Sequence, residues 1–339
     1  MTITTPEIAL ARWLSKRCRG LWRIIGVLHA ELLLFAAPLL FFTPMNASAT
    51  LGTGLQFASQ EESLDEPPTV TAGARRVEKE HRVLLDPEGK PLPFKSPEEV
   101  LDFLKTAREI ERKSVGEGVT GVERLLLEKN GLRMHAVFRD VKVFKSLMDL
   151  ADGTSHINFR DDAVFECAAF ELNRLLGLYI VPPVVKLSMR RNEGTLQAWV
   201  HGTMTERERL EKEIEPPDMW RWMMQRQIMN IFDNLIYNDD RNVGNILIAE
   251  DWLLILIDHT RSFRDHEKLM SPDSVRYCDR NLLENMKKLD LETVQKQLGP
   301  YLRGQQIRAL MKRRDLLVEH IERLVEKHGA GKVLFSFIR

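Results

Sequence analysis

The sequence predicts an α+β protein of two lobes, a β-rich one first and a mostly α-helical one later, joined near residue 200. Three observations carry that prediction. Val122–Glu128 and Leu132–Arg139 read as strands, and the turn Lys129-Asn130-Gly131 between them is a hairpin signal. Residues 216–236 and 281–328 read as helical, with punctuation at Pro216-Pro217, Gly299-Pro300 and Gly304. Between those helical stretches lie two short apolar runs, 246–248 and 252–257, joined by the polar turn Glu250-Asp251. At 339 residues the chain exceeds one typical domain and can bury a large core.

In chain order, residues 1–49 read as an export signal. Arg12, Lys16, Arg17, Arg19 and Arg23 make a basic start, an apolar run spans 32–42, and Ala47-Ser48-Ala49 supplies a small-x-small cleavage pattern. The alternative is an uncleaved anchor in the inner membrane through residues 24–42, in which His29 and Glu31 are costly in lipid. The positive-inside bias gives the same side in both cases: a domain that is exported (periplasm or extracellular) or membrane-anchored with the domain outside.

Residues 50–80 are rich in Thr, Ser, Glu, Pro and Gly and read as a flexible linker. The N-lobe then spans 81–200 and the C-lobe 201–339. Ser96-Pro97-Glu98-Glu99 is a helix start, and that helix is expected to run to about Lys113. Residues 161–176 read as an amphipathic helix closed by Gly177. Pro182-Pro183 forces 179–187 to be extended, and 195–200 reads as a strand.

The chemistry gathers in two places. Gly116, Gly118 and Gly121 form a Gly-x-Gly-x-x-Gly loop, whose backbone can approach phosphate oxygens closely. A dinucleotide fold needs strand, glycine turn and helix. Here a helix is expected before the loop and a hairpin after it, the setting of a kinase-type phosphate cover. Downstream, the 246–257 hairpin folds its two ends together, so Asn245 entering it and Asp258 leaving it should meet at the open end. Both offer hard oxygen ligands for Mg²⁺ (or Mn²⁺) on a phosphate. Asp240 lies one short loop upstream, and the Asp240-to-Asn245 spacing matches a catalytic loop in which Asp takes the proton of the acceptor hydroxyl.

Three further stretches carry a family resemblance: Glu166–Gly177 followed by Val181–Val185, Phe232–Arg241, and Ile257–Phe263. With these, residues from about 116 to 264 resemble the atypical kinases of the secretory pathway (the Golgi casein kinase and the xylose kinase). They are more distantly similar to HipA-type and phosphatidylinositol-kinase-like folds. The signatures look closer still to a group of uncharacterised bacterial proteins. The resemblance implies a bilobal protein-kinase-like fold using ATP or another nucleoside triphosphate, with an unknown protein or glycan acceptor. By it, Asp240 is similar to the catalytic Asp, Asn245 and Asp258 to the metal ligands, and Glu166 to the helix carboxylate that holds a phosphate-binding lysine. Trp199 and Val200 would form the hinge that offers backbone groups to adenine.

The chain departs from that pattern at one place. The lysine is expected at the end of the 132–139 strand, where Arg139 stands, a planar fork rather than a compact ammonium. Lys142 or Lys145 could reach in instead. This leaves a kinase-fold binding module without turnover, or transfer of a group other than phosphate, as alternatives to a phosphotransferase.

The remaining candidates read as structural. His201, His259 and His266 match no metal-ligand spacing, although His259 could orient the adjacent Asp258 and Arg241 lies beside the catalytic position. Met219, Met223, Met224 and Met229 with Trp220 and Trp222 read as helix core, and Lys312-Arg313-Arg314 as a solvated helix face. Cys167 reads as a buried free thiol, with pairing to Cys278 as the alternative. A formal net charge of zero argues against bulk polyanion binding, so no nucleic-acid partner is expected.

Overall fold

The structure, a computed structural model, describes residues 84–114, 122–149 and 155–337, all within one compact unit, Gln56–Arg339. The leader, the linker and the glycine run 116–121 lie outside the described residues, and so do the expectations placed on Gly116, Gly118 and Gly121.

Helix α1 (Pro97–Thr106) opens as the sequence requires. Ser96 caps it by accepting the Glu99 N–H, and Pro97 takes the first turn, where no N–H is needed. It is shorter than expected. Residues 108–114, read as its continuation, form strand β1 (Arg108–Ser114), which pairs antiparallel with β2 (Val122–Lys129). The stretch is almost wholly charged, so it lacks the apolar alternation by which strands are recognised. Backbone pairing along β2 holds it as a strand, and cross-strand ion pairs of Arg108 with Glu128 and of Arg112 with Glu123 lie across that pairing. Residues 115–121 therefore lie between two paired strands rather than between a helix and a strand.

β2 and β3 (Leu132–Arg139) form the expected hairpin, with Asn130 and Gly131 both at positive φ. The order β1-β2-β3-β7-β6, with β6 (Val184–Met189) and β7 (Asn192–Ala198), completes a five-stranded antiparallel sheet. Leu125 and Leu127 on β2 and Met134, Ala136 and Phe138 on β3 point to one face, onto Val100, Phe103 and Leu104 of α1. Each large side chain so buried contributes about 1.5–3 kcal/mol.

Between β3 and helix α2 (Val164–Leu175) a hairpin is inserted, β4 (Lys142–Asp149) with β5 (Ser155–Asp162). Asp161 and Asp162, expected to open the helix, end β5 instead, and Asp162 Oδ1 accepts the Val164 N–H. The buried side of α2 joins the larger core of the helical lobe. That core is built on α4 (Met219–Ile236), which follows β8 (Thr203–Thr205) and the short α3 (Glu206–Glu211). Trp222, Met224 and Met229 are core as expected, while Met219 is exposed. Strands β9 (Ile246–Ala249) and β10 (Leu254–Leu256) form the expected hairpin, and β9 pairs on its other edge with β8. Strand β11 (Cys278–Asp279), α5 (Arg280–Lys288), α6 (Leu291–Leu298), α7 (Gly304–His328), α8 (Ala330–Val333) and β12 (Leu334–Phe335) close the lobe. Cys167 and Cys278 are both buried free thiols.

The reading of Lys312-Arg313-Arg314 as a solvated face is overturned at Arg313, which is wholly buried. Its guanidinium donates to the carbonyls of Leu235, Arg264 and His266 and lies over the Tyr237 ring. A guanidinium presents five N–H groups in a fixed fork, so one side chain satisfies carbonyls from the end of α4 and the chain after β10 together. Arg314 likewise donates to Met286 and Leu289 carbonyls.

Candidate active site

α4 ends at Tyr237, whose positive φ breaks the helix. The following loop is fixed by Asp233 from the last turns of α4. Its carboxylate accepts from Asn238 Nδ2 at 3.2 Å and from Arg241 Nε and Nη2, each at 3.0 Å to its nearer oxygen. Arg241 Nη1 then donates to the Asn245 carbonyl at 3.1 Å and the Ile257 carbonyl at 2.8 Å. One buried guanidinium thus ties the Asp240 loop to both ends of the β9–β10 hairpin. The Ile257 N–H donates to the Asn245 carbonyl at 3.2 Å, so Asn245 and Asp258 emerge side by side. Asp258 is held at φ +60°, a region Asp tolerates better than most residues and one that recurs where function requires it.

Arg139 closes the site from the N-lobe. Its Nη1 donates to Glu166 Oε1 at 2.5 Å and faces Asp258 Oδ1 at 3.4 Å. The position of the expected lysine is therefore filled by Arg139, and Lys142 and Lys145 lie exposed on β4. Glu166 is almost fully buried, and its other partners both come from His259: the backbone N–H at 3.0 Å and Nδ1 at 2.9 Å. The expectation that His259 orients Asp258 is corrected: its ring turns inward to Glu166, away from its sequence neighbour. Burial alone would raise the Glu166 carboxyl. The His259 hydrogen bonds and the Arg139 charge outweigh it and hold the group well below the usual carboxylate range. Arg139 Nε is buried with no hydrogen-bond partner, a free donor on the edge of the site.

Asp240 is half-exposed beside Arg261, whose Nη1 stands 3.2 Å from Asp240 Oδ2. Burial pushes the Asp240 carboxyl up; Arg261 opposes this, while Asp258, Asp239 and Asp161 reinforce it. A carboxylate whose proton affinity is raised is better suited to accept a proton from a hydroxyl.

Trp199 and Val200 connect β7 to β8. The Trp199 N–H is already spent on the His135 carbonyl at 3.0 Å, extending the β3–β7 pairing, and the Val200 carbonyl accepts from Thr203 Oγ1 at 3.3 Å. His201 meets His135 at 2.9 Å, and among the described residues no group of three or more His, Cys, Asp or Glu is placed to hold a metal alone.

Asn245 and Asp258 fit a Mg²⁺ or Mn²⁺ that rides on a phosphate. Two protein oxygens at the mouth of a hairpin leave the other positions of an octahedral ion to phosphate and water, the usual arrangement for this cation. Arg139 and its unpartnered Nε fit phosphate oxygens at the same place.

Three residues of the site escaped the sequence reading. Asp233 and Arg261 stand within stretches that carry the resemblance, yet nothing local marks them as framework. Asp161 is a buried acid at the end of an unforeseen strand and gave no signal.

No protein-family model matches this chain, and no curated protein matches it in sequence. Among solved structures, that of "hydra Fam20 with sugar" is similar to it, with a TM-score of 0.54 and 17% identity, covering 70% of this chain and 91% of that chain. The likeness, with the sheet-then-helix order and the site between, establishes a kinase-like α+β fold of the Fam20 kind.

Proposed function

We propose that the chain is a phosphotransferase that moves phosphate from a nucleoside triphosphate to a hydroxyl. The observation that carries this reading is the placement of Arg139: one guanidinium nitrogen is bonded to Glu166 and turned toward Asp258. In this reading Arg139, held by Glu166, steadies the donor phosphates, and the glycine run 116–121 covers them. Asn245 and Asp258 hold Mg²⁺ or Mn²⁺, which when bound neutralises phosphate charge. Asp240 aligns the acceptor hydroxyl and takes its proton. Arg241 keeps the loop and hairpin in register, and Trp199–Val200 border the base. Phosphoryl transfer asks for positioning and charge neutralisation more than covalent chemistry, so these few groups suffice.

The acceptor is a hydroxyl of a protein or a glycan. The sugar named with hydra Fam20 makes a sugar hydroxyl the first class to try. The leader reading places the domain outside the cytoplasm; a reporter fused after residue 60 tests that directly. Among the described residues no helix is long and apolar enough to cross a membrane, so anchoring, if used, rests on residues 24–42.

A second reading is favoured by the same arginine. Arg is not a conservative replacement for a phosphate-binding lysine. A kinase-fold module that binds nucleotide without turnover, or a transferase of another group, would also keep the Glu166 pair. Incubation with γ-labelled ATP, Mg²⁺ and a panel of proteins and saccharides separates the readings. Label transfer that disappears in Asp240→Ala supports the first. Nucleotide binding without transfer supports the second.

A further inference from the structure

Arg261 lies between two carboxylates that come from different parts of the fold. Its Nη1 stands 3.2 Å from Asp240 Oδ2, and its Nε donates to Asp161 Oδ2 at 3.0 Å. Asp161 sits at the end of β5, just before the helix that carries Glu166. The next residue is anchored to the same segment as Arg261: the Asp162 N–H donates to the Thr260 carbonyl at 2.9 Å. Phe159 of the same strand lies under the Arg261 guanidinium, 5.7 Å from ring centre to Cζ.

Asp161 is about nine-tenths buried, and its Oδ1 has no hydrogen-bond partner. A buried carboxylate with an unsatisfied oxygen costs stability, so the fold gains little from it as a structural group. What it does is hold one end of Arg261. That arginine is a charged side chain with five donors in a rigid plane, so fixing Nε fixes the direction of Nη1.

We infer that Arg261 is the positioning residue for Asp240, and that Asp161 is the tether that aims it. The inference rests on Asp240 being the residue that receives the acceptor proton. The insertion β4–β5 then links the N-lobe to the catalytic carboxylate.

The test uses the full-length chain with ¹³C-labelled aspartate carboxyls, the Asp240 signal being assigned by its loss in Asp240→Asn. The charged groups facing this carboxyl are Arg261, Asp161, Asp239 and Asp258. In Arg261→Gln the Asp240 titration midpoint should rise by a pH unit or more, and Arg261→Lys should recover at least half of that rise. In turnover of γ-labelled ATP, Arg261→Gln and Asp161→Asn should each lower kcat tenfold or more, with KM for MgATP within twofold. The double variant should be no worse than Arg261→Gln alone. An unmoved Asp240 midpoint in Arg261→Gln overturns the inference whether or not the protein turns over. So does a moved midpoint with an unchanged kcat. If Asp240→Asn transfers label as well as wild type, Asp240 does not take the acceptor proton and the inference is overturned. If the midpoint moves but the wild type transfers no label, the inferred contact stands and the phosphotransferase reading falls.

Discussion

Arg139 Nη1 lies 2.5 Å from Glu166 Oε1, with the carboxylate 1% exposed and the guanidinium side chain 12% exposed. Removing one member of such a pair leaves the other buried and uncompensated, at a cost of about 3–5 kcal/mol. His259 gives Glu166 two further hydrogen bonds, so the lower end of that range applies to the arginine. Arg139→Ala should lower the unfolding free energy by about 3 kcal/mol, read by urea denaturation. Arg139→Lys should recover most of it, because an ammonium can still reach Glu166.

The Glu166 carboxyl is held below its ordinary pKa of 4.5 in the folded protein. A depressed carboxylate stabilises the fold above its unfolded pKa, and that stability is lost as pH falls through the folded value. Stability of the wild type should therefore fall as pH drops below about 4.5, with a slope of up to about 1.4 kcal/mol per pH unit from this group. Glu166→Gln should be less stable at neutral pH and should lack that part of the slope. Thermal melts between pH 7 and 3 read both effects.

Gly194 on β7 is pressed against the end of β3. A Cβ there would sit 2.3 Å from the Arg139 carbonyl oxygen and 2.8 Å from Phe138 Cζ. Gly194→Ala should destabilise the fold by about 1–3 kcal/mol through overpacking and should weaken nucleotide binding by displacing Arg139. Gly331→Ala, with nothing within 4 Å, is the matched control and should be neutral or slightly stabilising.

Arg313 is charged, wholly enclosed and bonded to carbonyls on both sides of the 236–263 segment. Burial lowers its pKa to about 10, which still leaves it protonated at neutral pH. Arg313→Met orphans those carbonyls, at about 1–3 kcal/mol for each that water does not reach. Arg313→Lys should rescue little, since a point ammonium cannot span the three acceptors. Chemical denaturation of the two variants checks this.

The parts of the fold legible in the sequence are those in which local chemistry and tertiary packing agree. Asn130-Gly131 specifies a turn with positive φ, and the apolar residues beside it specify the buried face of β2 and β3. The hairpin 246–257 was legible for the same reason, and with it the meeting of Asn245 and Asp258. Strand β1 was hidden because its residues are charged and its pairing is set by partners on β2. Arg313 was hidden because a cationic run on a helix is ordinarily solvated, and only the distant carbonyls of Leu235 and Arg264 make a dry site tolerable. The true partner of His259 could not be read, since Glu166 is 93 residues away in the chain.

The central claim is that Asp258, Asn245 and Arg139 form one site for a metal-bound triphosphate. Calorimetric titration of ATP into the full-length protein, with and without Mg²⁺, tests it most directly. Asp258→Asn is the informative variant, since Asn tolerates the +60° φ while losing the charge. We predict that Mg²⁺ tightens ATP binding to the wild type by at least tenfold and that Asp258→Asn abolishes that gain. Absence of ATP binding, or binding that Mg²⁺ strengthens equally in both proteins, would contradict the account.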